Sequence, residues 1–263
     1  MTNAENPLLC DVRGATAWLT LNRPAALNAL TPQLMTDLRS QLLAIESDRR
    51  VRVVVLTGAG RAFCAGVDLS AIGRELSAAD ATAAFMRVAE PATDALQAMS
   101  KPVIASVNGH AFAGGLELVL RCDLVIAAAE ARFSDGHANF GLIPGGGSTA
   151  RLPRRVGLSL AKYMIYTGAQ IDAETMRTAG LVHRVVPRAE LDAAVEELAQ
   201  VLASKSPLGL ARSKHLIAQG LELTEAEAAR REAAAAVAHC AAKDVAEGLA
   251  AFAQKRKPVF TGE

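Results

Sequence analysis

The chain has 263 residues, of which 51% are hydrophobic and 21% are charged, and its net charge at pH 7 is +1. This length can bury a substantial core, and the small net charge gives no broad electrostatic attraction for nucleic acid or an anionic membrane. The four cysteines show no C-x-x-C spacing, which indicates free thiols in a reducing compartment. Because we recognise neither a signal peptide nor a bilayer-spanning apolar run, we expect a cytoplasmic protein without a membrane partner.

The first half of the sequence alternates strand-like and helix-like patterns. The run 51–56 is nearly continuous in β-branched residues, which indicates a strand buried on both faces. Thr31 and Pro32 are a favoured N-cap and first helical residue. In chain order, the predicted elements are a hairpin of strands 8–12 and 16–21, a helix from residue 31 to about 45, strand 51–56, helix 77–100, strand 102–107, helix 114–121 and strand 123–128. This alternation predicts an α/β fold with a mostly parallel sheet.

The pattern becomes helical after Pro153. Apolar periodicity and a high alanine content predict helices at residues 158–167, 172–179, 189–205, 207–219 and 224–255. We therefore predict a catalytic core over residues 1–190 and a C-terminal helical region over residues 191–263. Since no glycine–serine linker separates them, the helical region is expected to pack on the core or on a neighbouring subunit.

The segment 108–123 carries the strongest chemical signal. It places Gly114 and Gly115 just before Glu117, where an extended apolar run gives way to a helix. The first amides of a helix lack intrahelical acceptors and favour negative charge, and glycine allows a ligand to approach them closely. This turn is therefore suited to bind an oxyanion, with Glu117 about one helical turn further along.

Two further segments carry weaker signals. Gly66 permits a tight bend that would leave the Val67 amide as a second oxyanion donor, although an ordinary strand–loop–helix turn explains the same residues. His137 follows the strand 123–128, and a single histidine is more often structural than catalytic. The glycines at 145–147 lack the Lys-Ser/Thr of a P-loop, and Ser134, Asp135 and His137 are too close in sequence to form a nucleophile triad. The histidines show no metal-ligand spacing, so no metal site is predicted.

Taken together, short motifs along nearly the whole chain resemble the crotonase, or enoyl-CoA hydratase/isomerase, family of acyl-CoA enzymes. One such motif would be a weak signal, whereas this many in order is specific. The motifs are LNRP at 21–24, NAL at 28–30, VLTG at 55–58, AFCAGVDL at 62–69, KPVIASVNG at 101–109, IPG at 143–145, RLP at 151–153, YTG at 166–168 and AGLV at 179–182.

The resemblance implies a spiral of ββα units with a C-terminal helical trimerisation region, and a homotrimer or a dimer of trimers. It implies an acyl-CoA thioester as substrate, with coenzyme A part of that substrate and no separate cofactor. The thioester oxygen would bind to the amides of Val67 and Gly114. The residues implied in coenzyme A binding are Arg23, Ala65, Asp68, Leu69, Phe252 and Lys255, the last two contacting a neighbour's coenzyme A.

The sequence departs from the family pattern at one catalytic position. Typical hydratases of the family use two glutamates; Glu117 matches the first, whereas His137 stands where the second is expected. We expect hydration of a 2-enoyl-CoA to a 3-hydroxyacyl-CoA, as in fatty acid metabolism, with Glu117 as base and His137 holding the same water or delivering the proton. Two alternatives are open: a hydrolase or lyase acting on a β-dicarbonyl, and a non-catalytic acyl-CoA binder. We expect residues 72–86 to line the acyl pocket.

Overall fold

The computed structural model describes residues 6–68 and 77–263. Its strands are β1 (Leu8–Arg13), β2 (Thr16–Leu21), β3 (Val53–Gly58), β4 (Ala62–Cys64), β5 (Val103–Val107), β6 (His110–Phe112), β7 (Leu124–Ala128), β8 (Arg132–Ser134), β9 (Ile171–Asp172) and β10 (Arg184–Val186). Its helices are α1 (Pro32–Ser47), α2 (Ala78–Ala98), α3 (Gly114–Arg121), α4 (Ser148–Val156), α5 (Leu158–Thr167), α6 (Ala173–Thr178), α7 (Leu191–Ala203), α8 (Pro207–Gly220), α9 (Glu225–His239) and α10 (Lys243–Ala253).

The strands of these two described ranges form a larger and a smaller sheet. The larger sheet has the order β1-β2-β3-β5-β7-β10 and is parallel apart from the β1–β2 hairpin. The smaller sheet has the order β4-β6-β8-β9, with β9 antiparallel. A strand of the larger sheet, a short strand of the smaller sheet and a helix then recur, as in β3–β4–α2 and β5–β6–α3. This recurrence confirms the predicted α/β fold built as a spiral of ββα units.

The larger sheet is covered on both faces, which explains its continuous apolar strands. Along β3, Val54 and Leu56 pack into the main core with α1 and α2, whereas Val53 and Val55 pack on the other face. That second face is covered by apolar side chains of α7, including Leu191 and Val195. Because successive side chains of a strand point to opposite faces, a strand sandwiched in this way is apolar at every position.

Most of the longer elements lie where the sequence predicts them, and the differences have local causes. The predicted strand 51–56 begins only at Val53, because the Val51 amide bonds to the Asp48 carbonyl in the preceding turn and the Arg52 amide bonds to the Ala15 carbonyl in the β1–β2 turn. The predicted helix 224–255 is divided into α9 and α10, where buried Asp244 accepts hydrogen bonds from Ser206 and from backbone amides of the C-terminal segment.

Several short elements have no counterpart in the predictions. The smaller sheet is composed of strands of two or three residues, and β10 lies between predicted helices. Helix α4 contains Pro153, the residue after which we placed the change of pattern. The division into 1–190 and 191–263 stays a prediction. Within residues 6–68 and 77–263, no helix has the combined length and apolar character needed to cross a bilayer.

Candidate active site

A cavity of about 490 Å³ brings the predicted catalytic residues together. Val67, Gly114, Glu117 and His137 all line it. Its walls come mainly from α2, α3 and residues 134–146. Four residues that were predicted from three separate segments of the sequence therefore line the same cavity.

Helix α3 contributes two of these residues and is buried along its whole length. Gly114 is its first residue, so its amide has no acceptor within the helix. Ala113 precedes it with φ 47° and ψ −117°, a conformation that is strained for a residue with a Cβ. A Cβ on Gly115 would lie 2.2 Å from the Cys64 carbonyl oxygen, so the backbone of β4 approaches this turn too closely for any side chain. The two glycines therefore serve close packing as well as amide exposure.

The Val67 turn lies directly against the Gly114 turn. A Cβ on Gly66, whose φ is +102°, would lie 3.5 Å from the Gly114 nitrogen. Leu30 donates to the Gly66 carbonyl at 2.7 Å and accepts from the Asp68 amide at 2.9 Å. The Val67 N–H shares a trans peptide with the Gly66 carbonyl and points in the opposite direction, so the Val67 amide points away from Leu30. This geometry suits Val67 to the predicted donor role.

The Glu117 carboxylate is held by a glycine-rich turn. Glu117 is buried, and its Oε1 accepts hydrogen bonds from the amides of Gly146 at 2.7 Å and Ser148 at 3.3 Å. Burial raises the pKa of Glu117, whereas the charge of His137 and the two amide hydrogen bonds oppose that rise. Gly146 thus has a role that the sequence did not predict, because its amide positions the carboxylate.

His137 lies opposite a fully buried carboxylate. Its Nδ1 is 3.0 Å from Asp135 Oδ1. Burial alone would lower the pKa of His137, but the hydrogen bond and charge of Asp135, with the charge of Glu117, outweigh burial and raise it. Ser134 instead donates its hydroxyl to the Gly168 carbonyl. The three residues form no nucleophile triad, as expected, yet Asp135 and His137 do reach each other across two positions.

The residues implied in coenzyme A binding are dispersed. Ala65 lines the cavity, whereas Arg23 pairs with Asp68 at 2.8 Å beside it. Leu69 lies outside the described residues. Phe252 at the end of α10 is 86% exposed and Lys255 follows it at the surface, away from the cavity lining of this chain.

Two buried asparagines shape the turn that leads to Val67, and their structural role was not predicted. Asn28 donates to the carbonyls of Ala59 and Ala62 and accepts from the Arg23 amide. Asn108 donates to the Ala62 carbonyl as well. The left-handed φ of 58° at Asn28 is a conformation that asparagine tolerates better than most residues. Each asparagine lies in the segment that follows a strand, and this placement is the sequence feature that could have indicated the role.

The rest of the cavity lining is mostly apolar, and one face of α2 forms part of it. Phe85, Met86 and Ala89 line it from that helix, together with Leu30 and Phe112. The predicted acyl-pocket segment 72–86 is therefore represented by its last residues, and its first residues, 72–76, lie outside the described ranges. Among the described residues, no cluster of His, Cys, Asp and Glu has the arrangement of a metal site.

Comparisons with known proteins agree with this architecture. A model of the family described as "Enoyl-CoA hydratase/isomerase" matches residues 11–263. The 2,3-dehydroadipyl-CoA hydratase of Escherichia coli is 40% identical over 93% of this chain and 94% of that protein. The crotonyl-CoA hydratase of Syntrophomonas wolfei is 38% identical over 93% and 94%, respectively. The crystal structure of an enoyl-CoA hydratase from Bacillus anthracis superposes with a TM-score of 0.94 at 35% identity, covering 98% of this chain and all of that one.

Proposed function

Since this chain belongs to the enoyl-CoA hydratase/isomerase family and is an enzyme that processes acyl-CoA thioesters, we propose that it adds water to a 2-enoyl-CoA to give a 3-hydroxyacyl-CoA. The observation that carries the proposal is the convergence of Glu117 and His137 on one cavity, beside the Val67 and Gly114 turns. Coenzyme A enters as part of the substrate, and no separate cofactor is needed.

In this proposal, the amides of Val67 and Gly114 bind the thioester oxygen. Negative charge develops on that oxygen when water attacks Cβ and an enolate forms. Two donors already aimed at the oxygen stabilise the enolate, with about 3–4 kcal/mol for each. Their support is the contact between the two turns and the direction of the Val67 amide.

The acid–base work falls to Glu117 and His137. The Glu117 carboxylate takes a proton from water as the oxygen bonds to Cβ, and the His137 imidazolium gives a proton to Cα as the enolate collapses. Proton transfer from Glu117 to His137 then restores the starting state. The raised pKa of His137 favours the imidazolium that this step needs, and Glu117 acts above its own raised pKa.

Crotonyl-CoA hydration, followed by loss of the enoyl absorbance, tests the proposal. We expect Glu117→Gln and His137→Gln each to lower kcat by about 10²–10⁴-fold, the usual range for general acid–base groups. His215→Gln is the matched control, because His215 is exposed on α8 and away from the cavity. Hydration that is unchanged by both cavity substitutions contradicts the proposal.

The Asp135–His137 contact also favours a second candidate, a hydrolase or lyase acting on a β-dicarbonyl acyl-CoA. An imidazole whose Nδ1 faces a carboxylate can act as a general base toward water or substrate. Release of free coenzyme A thiol or cleavage products from 3-oxoacyl-CoA esters, without crotonyl-CoA hydration, would establish this alternative. Tight acyl-CoA binding without turnover of either substrate class would identify a non-catalytic binder.

We also propose that the chain assembles as a homotrimer or a dimer of trimers through its C-terminal helices. Large apolar side chains are exposed on α9 and α10, including Val237 (76%), Leu249 (68%) and Phe252 (86%). In such an assembly, Phe252 and Lys255 would contact the coenzyme A of a neighbouring subunit, while Arg23 and residues 65–68 would lie near the nucleotide of their own. Light scattering gives the mass directly, and a monomeric mass contradicts this part of the proposal.

A further inference from the structure

The segment after β8 folds back so that two nearby residues meet. Asp135 follows the last residue of β8, and Gly136 has a left-handed φ of 68°. A 3₁₀ turn, His137–Phe140, then begins, and the Leu142 amide donates to the His137 carbonyl. On the other side, the Ser134 carbonyl accepts from the Ala113 amide beside the oxyanion turn. The backbone on both sides of the Asp135–His137 pair is therefore anchored.

The buried Asp135 carboxylate has His137 as its hydrogen-bond partner. Asp135 has no exposed surface, and within the described residues its buried Oδ2 has no hydrogen-bond partner. Its Oδ1 lies 3.0 Å from His137 Nδ1. A buried charge without a partner is strongly unfavourable, so the imidazolium is the group that balances this carboxylate. A fully buried carboxylate with a single hydrogen-bonded oxygen needs an explanation beyond folding.

The contact with Asp135 also determines which ring nitrogen of His137 is left to exchange a proton with a substrate. A neutral imidazole carries one proton, and an acceptor at Nδ1 holds that proton there. The nitrogen that can serve the cavity is then Nε2. Glu117 on α3 and Asp135 are the charged groups that act most strongly on His137, and Glu90 of α2 and Arg121 of α3 line the same cavity.

We propose that Asp135 is a positioning residue of this enzyme: it orients the His137 ring through Nδ1, so that Nε2 delivers the proton to the substrate. This inference rests on the proposed function, in which His137 is the acid. Asp135 itself touches no substrate and acts only through the imidazole. The second glutamate that is typical of the family is thus replaced by a pair of residues.

The principal test is Asp135→Asn, which keeps the shape and removes the charge. We expect kcat for crotonyl-CoA hydration to fall at least about 10–100-fold, the range seen for carboxylates that orient metal-binding imidazoles, with KM changed less than about threefold. The alkaline limb of the kcat profile should move to lower pH, because the imidazolium loses its counterion. Asp11→Asn is the matched control, since Asp11 lies on the exposed edge strand β1 and pairs only locally with Arg13.

A double-variant cycle separates positioning from a merely structural role. In a His137→Gln background, Asp135→Asn should lower kcat no further, because the group through which Asp135 acts is already gone. Full additivity of the two losses, or an unmoved alkaline limb, overturns the proposal.

An activity-independent measurement keeps the inference separate from the proposed function. Nitrogen NMR of the wild-type enzyme should show His137 with its proton on Nδ1 above its pKa, whether or not crotonyl-CoA is a substrate. An Nε2–H tautomer contradicts the inference, even if Asp135→Asn fails to fold. Absent hydration together with the Nδ1–H tautomer would reject the hydratase function and retain the Asp135–His137 pair.

Discussion

Gly146→Ala tests whether the glycine-rich turn positions the Glu117 carboxylate for the proposed hydration. A Cβ at Gly146 would lie 2.5 Å from Glu117 Oε2 and 2.7 Å from its Cδ, distances that force the carboxylate or the turn to move. The movement breaks the 2.7 Å hydrogen bond from the Gly146 amide to Oε1. A hydrogen bond to a charged group contributes about 1.5–3 kcal/mol. At about 1.4 kcal/mol per tenfold in rate, kcat should fall roughly 10–150-fold.

Gly145→Ala is the matched control for this experiment. A Cβ at Gly145 would meet only the Met86 side chain, at 3.7 and 3.9 Å, which is ordinary contact. Neither glycine has a positive φ, so the two substitutions differ in their neighbours and not in backbone strain. Steady-state kcat on crotonyl-CoA and thermal unfolding are measured for both. If Gly146→Ala retains a kcat within about threefold of Gly145→Ala, the positioning argument is refuted.

Three other predictions concern stability. Asn28→Ala leaves the Ala59 carbonyl and the Arg23 amide without their partner, while the Ala62 carbonyl keeps its bond from Asn108, and chemical denaturation should show a loss of about 3 kcal/mol; an unchanged midpoint would show that water replaces the amide. Ala113→Gly removes a strained positive φ and should raise the free energy of unfolding by about 1 kcal/mol, whereas a lower value would mean that the methyl contact outweighs the strain. Because the folded-state pKa of His137 is raised, its ionisation stabilises the fold below about pH 6.5 and that contribution is lost as pH rises through the folded pKa. Denaturation of wild type and His137→Gln across this interval should therefore show a steeper alkaline loss in the wild type, and parallel curves would contradict the assignment.

Elements whose ends carry strong local signals could be predicted from the sequence almost to the residue. Helix α3 begins at Gly114 and ends at Arg121 as expected, because a glycine turn marks its start. The hairpin strands, β1 and β2, also lie on either side of the turn at residues 13–15, where the sequence predicts them. The smaller sheet was missed because three residues are too few to show a period of two. Pairing with neighbouring strands, which is a long-range effect, makes these segments extended.

The candidate site likewise has a part that could be predicted from the sequence and a part that could not. Glu117 and His137 were identified from local motifs and a family resemblance, and the fold brings them into one cavity. The partners that hold them were not identified. Gly146 is 29 residues from Glu117. It contributes a backbone amide, which every residue except proline has, so the residue type gives no sign of the contact. Asp135 reaches His137 only because Gly136 adopts a left-handed conformation. Neighbouring side chains can be assigned from sequence, but turn geometry decides whether they meet.

Helix α3 carries both the Gly114 amide and the Glu117 carboxylate, three residues and about 4.5 Å apart along its axis. The spacing between the two is therefore built into one rigid segment, and any small shift of α3 displaces both together. Helix α2, by contrast, contributes Phe85, Met86 and Ala89 to the apolar wall. Mutational drift on α2 can thus retune which acyl groups are accepted while the reacting geometry is inherited unchanged, which makes α2 the natural target for libraries that seek new substrates.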